Sequence, residues 1–313
     1  MRHFSLPIGF IAVAAFSLLV NATPARAVGQ TWVSGTGSDS GTCPITAPCL
    51  TLQFAHNQTS NGGAINVLSS GSFGPLTITK SISIVAEGVE AAINTAAGGA
   101  GIIVNANFST VSLRGLTLDL TGDNGISFVS GAALHVHNSV IRGTASGIKF
   151  APSSGTSELY VANSVIANTS GGTVAAGLLV KPTGSGSARV VLDSVRVENG
   201  GLGIGFFGTT TTGSIRATVR DSVSAGHGGP GIAAVESGSG TVNVTVDRTA
   251  SVNNSTGILS DGTGATIAIG DSTISGNAFA LSTQSLGVIE SYKTNKIRAN
   301  TNPGATPTTI AHK

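Results

Sequence analysis

Apolar and polar residues alternate with a period of two in "ALHVHNSVI", "ELYVANSVI", "TVNVTVD" and "ATIAIGDSTI", the pattern of strands with one buried face. In the first of these, Leu134 and Val136 point inward and His135 and His137 outward. The stretches recur. A glycine followed by an aliphatic residue stands at Gly101, Gly125, Gly147, Gly177, Gly203, Gly231 and Gly257, with Ala280-Leu281 as an echo, at intervals of 22 to 30 residues. A second column, Asn138, Asn163, Asp193, Asp221, Asp247 and Asp271, keeps intervals of 24 to 30. A repeat of this length with strand text and no helix in each unit predicts stacked equivalent strands about 4.8 Å apart, sharing one continuous core. "TVNVTVD" is shifted by one residue against this frame, a slip that exchanges the two faces of a strand.

The fold class that follows is all-β: one right-handed parallel β-helix of nine or ten coils over residues 65–300. The segment 28–64 is the N-terminal cap. Within it "TLQFAHNQT", Thr51 to Thr59, is a short helix with Leu52 and Ala55/His56 at helical spacing, covering the open end of the stack. The tail 301–313, polar and proline-containing, reads as disordered.

Composition changes the picture at the ends. Residues 1–27 carry a basic start, an apolar run from Ile8 to Val20 and "ARA" at Ala25–Ala27, which together read as a signal peptide cleaved after Ala27. The destination is the periplasm or the exterior. That run is too short to span a bilayer, so no transmembrane anchor is expected in the mature chain. Cys43 and Cys49 are the only cysteines, and in an exported chain they predict one disulfide. Without Arg2 and Arg26, the 16 Lys and Arg fall to 14, matching the 14 Asp and Glu. This balance gives no reason to expect nucleic acid as a partner.

The repeats resemble those of the pectate-lyase-like right-handed β-helix superfamily. The opening "WVSGTGSDSGTCPITAPCLTLQFA" is similar to the start of many bacterial secreted proteins of that type. This resemblance covers Trp32 to Asn300 and implies the fold, with extracellular polysaccharide or a cell surface as the partner. Activity does not follow from the fold.

"SAGHGGPG", Ser224 to Gly231, contains a Gly-His-Gly triplet that resembles the catalytic histidine motif of polygalacturonases. The carboxylate pair that glycoside hydrolysis requires is missing: no Asn-Thr-Asp motif and no adjacent Asp pair precedes it. Six residues on from the second column stand Asn199, His227, Asn253 and Asn277, and Asn300 follows at the same period. His227 is therefore read as one rung of an asparagine turn ladder. The candidates for chemistry are His135, His137 and Tyr160, neighbours on successive coils, able to serve as base and acid in a polysaccharide lyase. Asp193, Asp221, Asp247 and Asp271 form an acidic row at single-coil spacing. No metal or cofactor is expected. The sequence supports two functions: a non-catalytic scaffold presenting a polar surface for polysaccharide or cell-surface attachment, or a divergent polysaccharide lyase or glycoside hydrolase.

Overall fold

The computed structural model describes residues 28–94, 99–120, 124–169 and 176–311; residues 1–27, read above as a signal peptide, lie outside them. The strands form three all-parallel sheets of 12, 10 and 10 strands. Each coil runs through the three sheets in turn, called here the first, second and third. One coil is Ala133–His137, Val140–Arg142 and Ile148–Phe150. The next is Thr156–Ala162, Val165–Ala167 and Ala176–Val180.

Left-handed residues make the corners. Between the first and second sheets stand Asn138, Asn163, Ser194, Asp221, Arg248 and Asp271, with φ from 44° to 57°. Between the second and third stand Gly143, Asn168, Asn199, Gly226, Asn253, Gly276 and Ala299. Asn, Asp and Gly dominate because they tolerate this conformation best. The Gly-aliphatic column opens the strands of the third sheet, where coils approach closely. A Cβ on Gly125 would stand 2.5 Å from both the Gly147 carbonyl oxygen and Ile141 Cγ2.

Alternation fills the interior. Leu134, Val136, Leu159, Val161, Leu192 and Val219 line it from the first sheet, and Ile126, Phe128, Ile148, Phe150, Ile204 and Phe206 from the third, all buried. Phe128 and Phe150 stack with centroids 4.2 Å apart.

The N-terminal end is closed by the helix Leu52–Gln58, which buries Leu52, Ala55 and His56. Thr51 caps it by accepting the Phe54 N–H, and Asp39 accepts from the Leu50 and Thr51 amides and the Thr51 hydroxyl. The Cys43–Cys49 disulfide forms. Its loop joins the first strand, where Trp32 N–H donates to the Cys43 carbonyl and Cys49 N–H to the Trp32 carbonyl.

Two expectations are corrected. Residues 301–313 were expected to be disordered, but Asn302–Gly304 pairs with Phe279–Gln284 and Thr308–Thr309 with Val288–Ser291. A polar segment can extend a parallel sheet because the ladder is made by backbone groups, which the last coil otherwise leaves unpaired. Residues 312–313 lie outside the described part. The apparent slip in Thr241–Asp247 is also resolved: Val242, Val244 and Val246 are buried, in register with Ile215, Ala217 and Val219. The slip belongs to the corner column, where Ser194 and Arg248, not Asp193 and Asp247, take the left-handed position.

Candidate functional site

The corner correction re-indexes the ladder. Counted from Ser194 and Arg248, the rungs are Gly200 and Asn254. Asn199 and Asn253 instead hold the left-handed corner one residue earlier. The hydrogen bonds follow this frame. Gly200 N–H donates to His227 Nδ1 at 3.2 Å, His227 N–H to Asn254 Oδ1 at 3.0 Å, Asn254 N–H to Asn277 Oδ1 at 2.8 Å, and Asn277 N–H to Asn300 Oδ1 at 3.0 Å. Each rung that has a side chain also donates back to a carbonyl of the coil before it: Asn254 to Ser224, Asn277 to Ser251, Asn300 to Ile274, and His227 through Nε2 to Val197.

The imidazole thus reproduces both halves of an asparagine side chain, which requires the neutral tautomer with hydrogen on Nε2. Burial lowers the His227 pKa, against the opposing pull of its bond to the Val197 carbonyl and of Glu198. At 3% exposure the ring is not presented to a substrate. His227→Asn, which can make the same two bonds, is expected to change stability by about 1 kcal/mol or less. His227→Leu, which orphans a buried N–H and a buried carbonyl, should cost about 2–4 kcal/mol. Denaturant unfolding of the two variants checks this, and equal effects would count against the ladder role.

The acidic row does not survive the corrected register. Asp193, Arg220 and Asp247 follow one another in one column, and Ser194, Asp221, Arg248 and Asp271 in the next. Acids and bases therefore alternate. Arg220 Nη2 bonds Asp193 Oδ2 at 2.7 Å, and Arg248 grips both oxygens of Asp221 at 2.8 and 2.9 Å and also contacts Asp247. The hydrogen bond from Arg248 holds the Asp221 carboxyl below its usual range. This ridge is exposed, so its pairs contribute little each.

On the outer face of the first sheet, His135 lies between Ser112 and Tyr160, and His137 between Arg114 and Ala162. The three rings converge: centroids are 5.2 Å apart for His137 and Tyr160, 6.1 Å for His135 and Tyr160, and 6.3 Å for the two histidines. Parallel register places side chains of equal phase next to each other, so residues 25 apart in sequence meet on a rigid sheet. Partial burial, then His135, then Arg114, push the His137 pKa down. A neutral imidazole therefore stands against a phenol, an arrangement able to accept and deliver a proton.

Arg114 extends this face. Its Nε pairs with Glu87 Oε1 at 2.9 Å, and it lines a groove of about 630 Å³ together with Ser70, Glu90, Thr117 and Asn138. Sequence reading missed Arg114, although it stands 23 residues before His137, one coil away. Glu158 is on the same face, paired at 3.6 Å with Arg189. No group of three or more His, Cys, Asp or Glu side chains gathers as a metal site among the described residues.

Three parallel sheets wound through successive coils make this chain a β-helix with the pectate-lyase-like fold. Among solved structures, pectate lyase Pel9A aligns with 92% of this chain and 80% of its own at a TM-score of 0.62 and 14% identity. A polygalacturonase from Erwinia carotovora ssp. carotovora aligns over 89% of this chain and 97% of its own, at a TM-score of 0.48 and 13% identity. No protein-family model and no curated protein matches the sequence. Identities this low establish the fold alone.

Proposed function

We propose that this protein is an exported, polysaccharide-binding β-helix whose working surface is the outer face of the first sheet, centred on His135, His137 and Tyr160. The observation that carries the reading is the convergence of those three rings with Arg114 on a rigid face. Imidazole and phenol rings offer apolar surface with a polar edge, which suits a sugar ring, and the guanidinium suits the carboxylate of an acidic sugar. The disulfide fits an oxidising compartment, as does the signal peptide read at 1–27. On the reading of 28–64 as cap and 65–300 as β-helix, this face belongs to the helical body.

A second reading, a lyase acting on an acidic polysaccharide, is favoured by one feature: the lowered His137 pKa beside Tyr160. A neutral His137 would take the proton from the carbon bearing the sugar carboxylate, the electron pair left there would form a double bond to the adjacent carbon, and that carbon's bond to the glycosidic oxygen would break as Tyr160 protonates the oxygen.

One experiment separates the readings. The protein is titrated with polygalacturonate, alginate and a neutral glucan, and each mixture is followed for unsaturated product. The binding reading expects saturable association with an acidic polymer and no product. His137→Ala and Tyr160→Ala should each weaken it about tenfold, the equivalent of ~1.4 kcal/mol. Product formation lost in both variants would establish the lyase instead. Binding that neither variant affects would remove this face from the account.

A further inference from the structure

Phe108 is 97% exposed and occupies the left-handed region at φ 58°, a conformation uncommon for a bulky side chain and a marker of function where the surroundings enforce it. The surroundings do enforce it. Ala106 N–H donates to the Ser130 carbonyl, Ser109 N–H to the Ala106 carbonyl, and the Ala132 and Ala133 amides both donate to the Ser109 carbonyl. The turn is therefore pinned to the coil that carries His135 and His137, and its backbone sets the Phe108 side chain out from the surface. Below it lies a groove of about 230 Å³, lined by Ser130, Pro152, Ser153, Thr156 and Ser157 besides Phe108 itself. An exposed aromatic face over a floor of hydroxyls and backbone matches what a sugar presents: apolar C–H faces and a rim of hydroxyl groups.

Phe108 stands two residues before the strand Thr110–Arg114. Ser112 of that strand is in register with His135, and Arg114 with His137. At about 3.3 Å per strand residue, Phe108 is roughly 13 Å along the strand direction from the level of His135 and roughly 20 Å from that of His137. Both lie at the margin or on the face of the same sheet.

We propose that Phe108 and its groove form a second carbohydrate subsite, so that a glycan chain crosses the first sheet along the strands from Phe108 to the His135–His137–Tyr160 cluster. This deepens the polysaccharide-binding reading and rests on it. The ligand class is then an oligomer long enough to reach both subsites, and affinity rises steeply once the chain spans them.

The test is a titration of wild type, Phe108→Ala, Phe108→Trp and His137→Ala with galacturonate oligomers of increasing length and with polygalacturonate. Because Phe108 is exposed, thermal unfolding should be the same for wild type and Phe108→Ala. The expected result is a loss of about tenfold in affinity for long oligomers in Phe108→Ala, the scale of one aromatic contact. Short oligomers should bind it as they bind wild type, and Phe108→Trp should retain or exceed wild-type affinity. If His137→Ala weakens binding while Phe108→Ala leaves the whole length series unchanged, the second subsite is wrong and the ring cluster stands. If wild type binds none of these ligands, or if His137→Ala binds them all as tightly as wild type, the site assignment and the subsite fall together.

Discussion

Phe150→Ala is expected to lower the unfolding free energy by about 3–5 kcal/mol, the range for removing a large aromatic side chain from a close-packed core. Phe150 is fully buried and stacked on Phe128. It pairs in register with Phe128 on one coil and Val180 on the next, so its loss opens a void between three coils that cannot collapse without breaking the ladder. The measurement is denaturant unfolding, with a lower midpoint at unchanged slope. Phe108→Ala is the internal control, because the same chemical change on an exposed ring should leave the midpoint in place. Similar shifts in both variants would mean that the interior stack is not where the stability lies.

The second large effect is acid sensitivity. His56 and His227 are both 3% exposed, and burial lowers the pKa of each. His56 accepts the Thr79 N–H on Nε2 and faces Asn57 with Nδ1, with Lys80 adding to the downward shift. His227 accepts the Gly200 N–H on Nδ1. In the unfolded chain both titrate near 6.5, so the unfolded state binds more protons below that pH. Stability is therefore complete above about pH 6.5 and falls as the pH drops toward the folded pKa of each ring, by at most about 1.4 kcal/mol per pH unit for each imidazole. Protonation of His227 would also place a hydrogen on Nδ1 against the Gly200 N–H, breaking the rung. Unfolding midpoints measured between pH 7 and 5 should decline in wild type and decline less in His227→Asn. A pH-independent midpoint would contradict the buried, neutral state of both rings.

Much of the architecture is written in the sequence because a solenoid repeats its physics. The period of the Gly-Ile pairs, the inward Leu134 and Val136 and the meeting of His135 with Tyr160 all follow from strands stacked one coil apart. The frame slipped where a side-chain preference was taken for a position. Asp193 and Asp247 look like corner residues because aspartate favours left-handed turns, yet Ser194 and Arg248 hold those corners. That single-residue error displaced Asn199 and Asn253 onto the ladder and turned an alternating ridge of ion pairs into an apparent acidic row. Backbone pairing needs no particular side chain, so the strands at 302–304 and 308–309 left no apolar signature. Phe108 carried no periodic signal at all, since only the hydrogen bonds of its turn reveal that the ring is held out.

Polysaccharide is proposed to rest on the outer face of the first sheet. The most direct measurement is a crystal structure of the protein with an acidic oligosaccharide. Sugar density is expected within hydrogen-bonding distance of His135, His137 or Tyr160, with a carboxylate turned toward Arg114. Density confined to the second or third sheet, or to the Asp–Arg ridge at the corner, with the ring cluster left bare, would contradict it.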